Sequence, residues 1–141
     1  MINDYAKFVD STTSGASKNT LKLTDRLGNL CGTTWHKGSE RGEEMQVARL
    51  LTAVIGMMAE SGEFAEVVKK KVFQADTKFS EDEIFHMKRE LGDVLWYWIQ
   101  GCTSLGFTPE EVIEENIKKL EKRYPNGFEV FRSEHRVEGD I

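Results

Sequence analysis

Two long stretches of helical periodicity, separated by only a few residues, constrain this chain more than any other feature. From residue 44 to about 73, Leu50, Val54, Met57, Met58, Ser61, Ala65, Val68 and Val72 fall on one stripe, the pattern of a helix with a single buried face. Ser80 followed by Glu83 is a capping-box pattern that opens a second helix. Ile84, Met87, Leu91, Val94, Leu95, Trp98 and Leu105 form its apolar stripe, and it ends near Gly106. The short connection between the two predicts an antiparallel pair.

The rest of the chain fits the same class. Thr108, Pro109 and Glu111 repeat the capping signature, with proline at the first helical position, and "YPNGF" (124 to 128) breaks that third helix. Ile2, Tyr5, Ala6 and Val9 make a short amphipathic start. Leu21, Leu23, Leu27 and Leu30 make another, with "STTSGASKN" expected as a loop between them. "CGTTWHKGSERGE" (31 to 43) is a Gly/Ser/Thr-rich connection. Two prolines and few alternating β-branched runs point to an all-α chain. The expected organisation is one domain over 1–131, with its helical core at about 44–124 and a charged tail at 132–141.

Charge narrows the partners. With 24 acids against 19 bases, the net charge of -5 excludes a broad basic surface for a nucleic-acid polymer. No run approaches the ~18 apolar residues of a membrane span. Cys31 and Cys102 lack C-x-x-C spacing and are expected as reduced thiols of a cytoplasmic protein.

The acids of the first long helix pose the chemical question, because an unpartnered carboxylate beside an apolar face is costly. Glu60 and Glu63 fall on one flank of their stripe, one turn apart, while Glu66 rotates toward solvent. On the second helix His86, Glu90, Asp93 and Tyr97 line up beside the stripe at spacings of four, three and four. Residues three apart on a helix have Cβ atoms only about 5–6 Å apart, where like charges repel. If the helices pack antiparallel, four carboxylates converge, and a divalent cation neutralises them. Hard oxygen donors with no cysteine or multi-histidine set select Mg2+, with Mn2+ as its substitute. Taken singly, each acid is equally consistent with a solvated helix flank.

"GMMAESGEFAEVVKK", "ELGDVLWYW" and "ENIKKLEKRYPNGF" resemble the three blocks of the MazG-like family of all-α nucleoside triphosphate pyrophosphohydrolases. The family pattern E-x-x-E, spacer, E-x-x-D is matched by Glu60, Glu63, Glu90 and Asp93, and the likeness covers about residues 44 to 128. The resemblance implies a four-helix-bundle-like fold assembled as an oligomer. It also implies Mg2+ held by the four acids, and hydrolysis of the α,β phosphoanhydride of a (deoxy)nucleoside triphosphate to a monophosphate and pyrophosphate. Either Glu63 or Glu60 orients the attacking water.

By the same likeness, Asn116 and Lys119 on the third helix face the triphosphate, and Tyr97 matches a position near the sugar. Asn116 is expected beside a buried stripe of Val112, Ile113, Ile117 and Leu120. Arg123 continues that face one turn beyond Lys119, Lys70 shares the flank of Glu60 and Glu63, and Trp35 lies in the loop where it can stack on a base. Helix capping, surface pairing and core packing are the competing roles for these six. Two alternatives stand beside the main reading. One is a related pyrophosphohydrolase with a dUTPase-like or phosphoribosyl-ATP substrate; the other is a non-catalytic helical interaction module. Broad apolar stripes and three tryptophans in so short a chain predict a homodimer or a dimer of dimers.

Overall fold

The computed structural model describes residues 2–31, 34–35 and 43–135; of residues 34–35 and 43–44 it describes the backbone alone. Seven helices and one two-residue ladder are found among them. α1 (Ile2–Thr12), α2 (Gly15–Lys18) and α3 (Thr20–Leu30) form the N-terminal region. The stretch "STTSGASKN" is therefore more helical than its composition predicts. Ser11 and Thr12 donate their hydroxyls back to the Phe8 carbonyl at 2.8 and 3.0 Å and stay in α1. Ser14 then caps α2 by accepting the Ser17 N–H at 3.2 Å, and Asn19 caps α3 by accepting the Lys22 N–H at 3.1 Å. Small hydroxyl and amide side chains read as loop formers act here as caps. β1 (Thr34–Trp35) pairs antiparallel with β2 (Glu43–Glu44) inside the predicted connection.

The two long helices are α4 (Val47–Phe73) and α5 (Glu81–Ser104). At the start of α5 both halves of the capping box form: Ser80 Oγ accepts the Glu83 N–H at 3.2 Å, and the Glu83 carboxylate accepts the Ser80 N–H at 2.7 Å. At its end Gly106 takes a φ of 79°, the Phe107 N–H reaches the Cys102 carbonyl at 3.0 Å, and the Gly106 N–H reaches that of Thr103 at 3.1 Å. This pair of reverse bonds is the Schellman closure, which needs glycine at the left-handed position. α6 (Pro109–Arg123) begins with the same capping box on Thr108 and Glu111. It stops at Tyr124, and Gly127, with a φ of 93°, turns the chain.

α7 (Val130–Glu134) runs across the boundary expected at residue 132, so Arg132 is helical rather than the start of an irregular tail. Arg132 Nε donates to Glu129 at 2.8 Å, and the His135 ring stacks on Phe131 at 4.3 Å, holding that short turn. Residues 136–141 of the expected tail lie outside the described part.

Pairs along the hairpin show that α4 and α5 run antiparallel. The Gln46 N–H donates to the Ser104 carbonyl at 2.9 Å at one end, and Lys71 Nζ meets Glu83 Oε1 at 2.8 Å at the other. Between them Ala53 faces Gly101, and a Cβ placed on Gly56 would clash with the ring of Tyr97. Ala53 and Ser104 are completely buried. Small residues on α4 thus let the helices approach until an aromatic ring rests on bare backbone.

The intrachain core is narrow. Among the described residues its buried apolar members are Ala16, Val47, Ala53 and Cys102. Met57, Val68, Met87, Val94 and Trp98 are half-buried, but Val54, Met58 and Val72 of the α4 stripe and Ile84, Leu91 and Leu95 of the α5 stripe are exposed. Ile113, Ile117 and Leu120 of α6 are exposed as well, so Asn116 does not border a buried stripe within one chain. The reason is geometric: a single packed neighbour covers only part of an apolar face that is ≳ 100° wide. Both cysteines are free; Cys31 is exposed, and burial pushes the thiol pKa of Cys102 up.

The hairpin connection is pinned by Lys71, whose ammonium also donates to Thr77 Oγ1 at 3.1 Å and lies 5.8 Å from the Phe79 ring centre. Its hydrogen bond to Glu83, followed by the capping bond from Ser80, lowers the Glu83 pKa below 4.5. A lowered carboxylate contributes stability that is present above its unfolded value and lost as pH falls through its folded value. Glu83→Gln is therefore expected to lower the thermal midpoint at neutral pH and to flatten its fall below about pH 4.5, as followed by circular dichroism across a pH series.

Candidate metal centre

The register that brings Tyr97 against Gly56 also sets the acids opposite one another. Glu60 lies one turn beyond Gly56 on α4, and Asp93 one turn before Tyr97 on α5. Carboxylate oxygens of Glu60, Glu90 and Asp93 fall within 4.8 Å of one another. Glu63 joins a second group with His86 and Glu90, whose donor atoms lie within the same limit. All four predicted acids are thus brought together, and Glu90 belongs to both groups. Glu90 is buried, whereas Glu60 is half-buried and Glu63 and Asp93 open to solvent.

The electrostatics fit a cation. Desolvation raises the Glu60 pKa above 4.5, with a hydrogen bond to Glu90 and the charges of Glu63, Glu90 and Asp93 adding to it. Burial and neighbouring carboxylates both disfavour the charged form of a carboxyl group. Oxygen donors converging from two helices and crowded against one another are what a hard divalent ion would relieve. Glu66 stands apart, as its helical angle predicts: Lys70 Nζ pairs with it at 3.0 Å and lowers its pKa.

The six substrate candidates are spread over several elements. Tyr97 is half-buried against Gly56, with its ring edge-on to Trp96 at 4.8 Å, so core packing occupies much of it. Lys70 sits in its pair with Glu66, one turn beyond it on α4. Asn116 and Lys119 are exposed one turn apart on α6. Arg123, half-buried at the end of α6, lies 5.9 Å from the Tyr124 ring centre. The backbone of Trp35 is in β1, and its side chain lies outside the described part.

His86, which the sequence aligns with the acids of the second helix without giving it a role, joins the second group. Its Nε2 lies 3.1 Å from Glu90 Oε1, and it lines an open recess with Asp82, Phe85, Arg89 and Glu90. The signal available was its spacing of four from Glu90, which places both side chains on one face.

Comparison with known proteins agrees with this geometry. A family model described as the MazG nucleotide pyrophosphohydrolase domain matches residues 49–128, a span containing both acid pairs and α6. The "Gene 37 protein" of Mycobacterium phage L5 is 30% identical over 86 residues, which cover 61% of this chain and 75% of that protein. No solved structure gives a match.

A raised carboxylate contributes stability that is complete below its unfolded pKa and is lost as pH rises through its folded value. In metal-free protein the Glu60 contribution therefore fades as pH rises from about 4.5. Mg2+ is expected to stabilise the fold, and so raise the thermal midpoint, little near pH 5 and progressively more toward pH 8, the stabilisation reaching about 2.7 kcal/mol where Mg2+ is in hundredfold excess over its dissociation constant. Melting curves with Mg2+ and with a chelator across that range provide the measurement.

Proposed function

Because the chain belongs to the MazG nucleotide pyrophosphohydrolase family, we propose that it is a Mg2+-dependent hydrolase of (deoxy)nucleoside triphosphates. It cleaves the α,β phosphoanhydride, adding water across the bridge to give a nucleoside monophosphate and pyrophosphate. The observation that carries this reading is the convergence of Glu60, Glu90 and Asp93 from two helices within 4.8 Å, with Glu63 and His86 at its edge.

Within that site Glu60, Glu90 and Asp93 hold the ion, and buried Glu90 fixes the position of the set. When bound, Mg2+ offsets the charge of the triphosphate, polarises phosphorus and lowers the pKa of a coordinated water. A free oxygen of Glu63 or Glu60 orients the attacking water and takes its proton. Asn116 and Lys119, presented together on α6, serve the phosphates, with Lys70 and Arg123 as further cations. Tyr97 serves the sugar, and Trp35 the base. The Tyr97 ring, seated on Gly56, is also what sets the spacing of the acids below it.

The exposed apolar faces of α4 and α5 fit a second copy of the chain. Leu51, Val54, Ile55 and Met58 on α4 and Leu91, Leu95 and Trp96 on α5 are all exposed in one chain, and two such hairpins pack into a four-helix bundle. Among the described residues no helix is long and apolar enough to cross a membrane, in keeping with a cytoplasmic enzyme acting on free nucleotides.

Incubating a panel of nucleoside triphosphates with Mg2+ and resolving the products by chromatography is expected to yield monophosphate and pyrophosphate; release of orthophosphate would contradict the reaction. Asp93→Ala is expected to lower kcat by more than about 100-fold, roughly 2.7 kcal/mol of transition-state stabilisation, with the helical circular-dichroism signal kept. Light scattering at micromolar concentration is expected to give at least a dimer, and a monomer would sink the bundle assignment.

A further inference from the structure

Four glycines lie inside the two long helices, and they differ in what surrounds them. A Cβ on Gly62 or Gly92, each beside an acid pair, would have nothing within 4 Å, and one on Gly101 would meet the Ala53 Cβ at an ordinary 3.7 Å. A Cβ on Gly56 would come closer than 3.0 Å to Cγ, Cδ1 and Cε1 of Tyr97. Glycine weakens a helix wherever it stands inside one, and close approach of another group is a reason for keeping it there. We infer that Gly56 is a positioning residue for the ion: its bare backbone sets how near α5 comes to α4, and so fits the carboxylates to an ion of the size of Mg2+ and against the larger Ca2+. This rests on the metal reading of the acids given above, and adds to it a determinant of ion choice that touches no ion.

The ring cannot turn away from the obstruction. Tyr97 Cγ lies on the axis about which the ring rotates, so rotation moves Cδ1 and Cε1 and leaves Cγ in place. On a helix only two χ1 wells are open to an aromatic side chain, and Tyr97 is half-buried with its ring edge-on to Trp96 at 4.8 Å. A methyl group at residue 56 therefore parts the helices. Gly56 precedes Glu60 by one turn on α4, and Tyr97 follows Asp93 by one turn on α5, so the parting is delivered at the carboxylates.

Ion size converts that parting into selectivity. Mg2+ takes its oxygens at about 2.0–2.1 Å in a near-ideal octahedron, whereas Ca2+ accepts about 2.3–2.6 Å and a flexible shell. Oxygens moved outward by about half an ångström are within reach of Ca2+ and too far for Mg2+. A glycine that serves packing alone predicts a different result: Gly56→Ala lowers the thermal midpoint and leaves the ratio of the two affinities where it was.

The test is calorimetric titration of the full chain, without nucleotide, by Mg2+ and by Ca2+. Wild type is expected to bind Mg2+ the more tightly. Gly56→Ala is expected to lose about tenfold or more in Mg2+ affinity, the scale of supporting residues around a metal, and much less in Ca2+ affinity, with its helical circular-dichroism signal kept. Gly62→Ala and Gly101→Ala are expected to leave both affinities unchanged. Gly56→Ala combined with Tyr97→Ala, which removes the obstructing ring, is expected to recover the Mg2+ preference. Ala53→Val wedges the same interface one turn farther from the acids and is expected to give the same shift in smaller degree; it decides the matter if Gly56→Ala loses its helical signal. A wild type that prefers Ca2+, an unchanged ratio in the deciding variant, an equal loss in Gly62→Ala, or no recovery in the double variant overturns the positioning role and leaves the metal reading standing. A wild type that binds neither ion overturns both.

Discussion

The close approach of α4 and α5 at Gly56 is the constraint from which the rest follows. With no Cβ at that position, the Tyr97 ring lies directly on the α4 backbone, and Ala53 opposite Gly101 keeps the helices together one turn further on. A helix pair locked at this depth has little freedom to slide, because interiors are packed too densely to accept an offset ring. The same register therefore holds one turn along, where the side chains are carboxylates. Lys71 with Glu83 at one end, and the Gln46 to Ser104 backbone bond at the other, fix it from both sides.

What that register assembles is unfavourable in isolation. Glu60, Glu63, Glu90 and Asp93 carry like charges, and the pKa of Glu60 is raised by desolvation first, then by its hydrogen bond to Glu90 and by these charges. The packing at Gly56 and Ala53 supports this repulsion, as is common where a site is prepared for a ligand of opposite charge. Stability and function are thus opposed on one hairpin, and the contacts that stabilise it lie next to the group that strains it.

Much of this was legible in the residues because it depends on local spacing. The capping boxes at Ser80 and Thr108 and the glycine closure at Gly106 are short-range patterns, and the observed ends of α5 and α6 follow them. The i, i+3 acid pairs were legible for the same reason. The apolar stripes predicted the correct faces but not their burial: Val54, Met58, Leu91 and Leu95 are exposed because the chain offers each helix one main neighbour. Ser14 and Asn19 read as loop residues, yet capping was the stronger of their two tendencies. The seat of Tyr97 on Gly56 and the meeting of Glu63 with Glu90 depend on how one helix sits against another, and periodicity within either helix carries no record of that.

The placement of the donors also separates chemistry from recognition. Every group proposed to touch an ion belongs to α4 or α5, a hairpin whose geometry is set by its own contacts. The groups proposed to touch the nucleotide, apart from Tyr97 and Lys70, stand on α6 or in the β1 segment. The proposed phosphate groups Asn116, Lys119 and Arg123 all stand on α6, which reaches the hairpin through α5. Substitutions on α6 can therefore alter how tightly any triphosphate is held, and substitution of Trp35 which base is held, while the four acids keep their spacing. Tyr97 is the exception that joins the two functions: its ring sets the distance between the helices, so a change there acts on the ion seat as well as on the sugar.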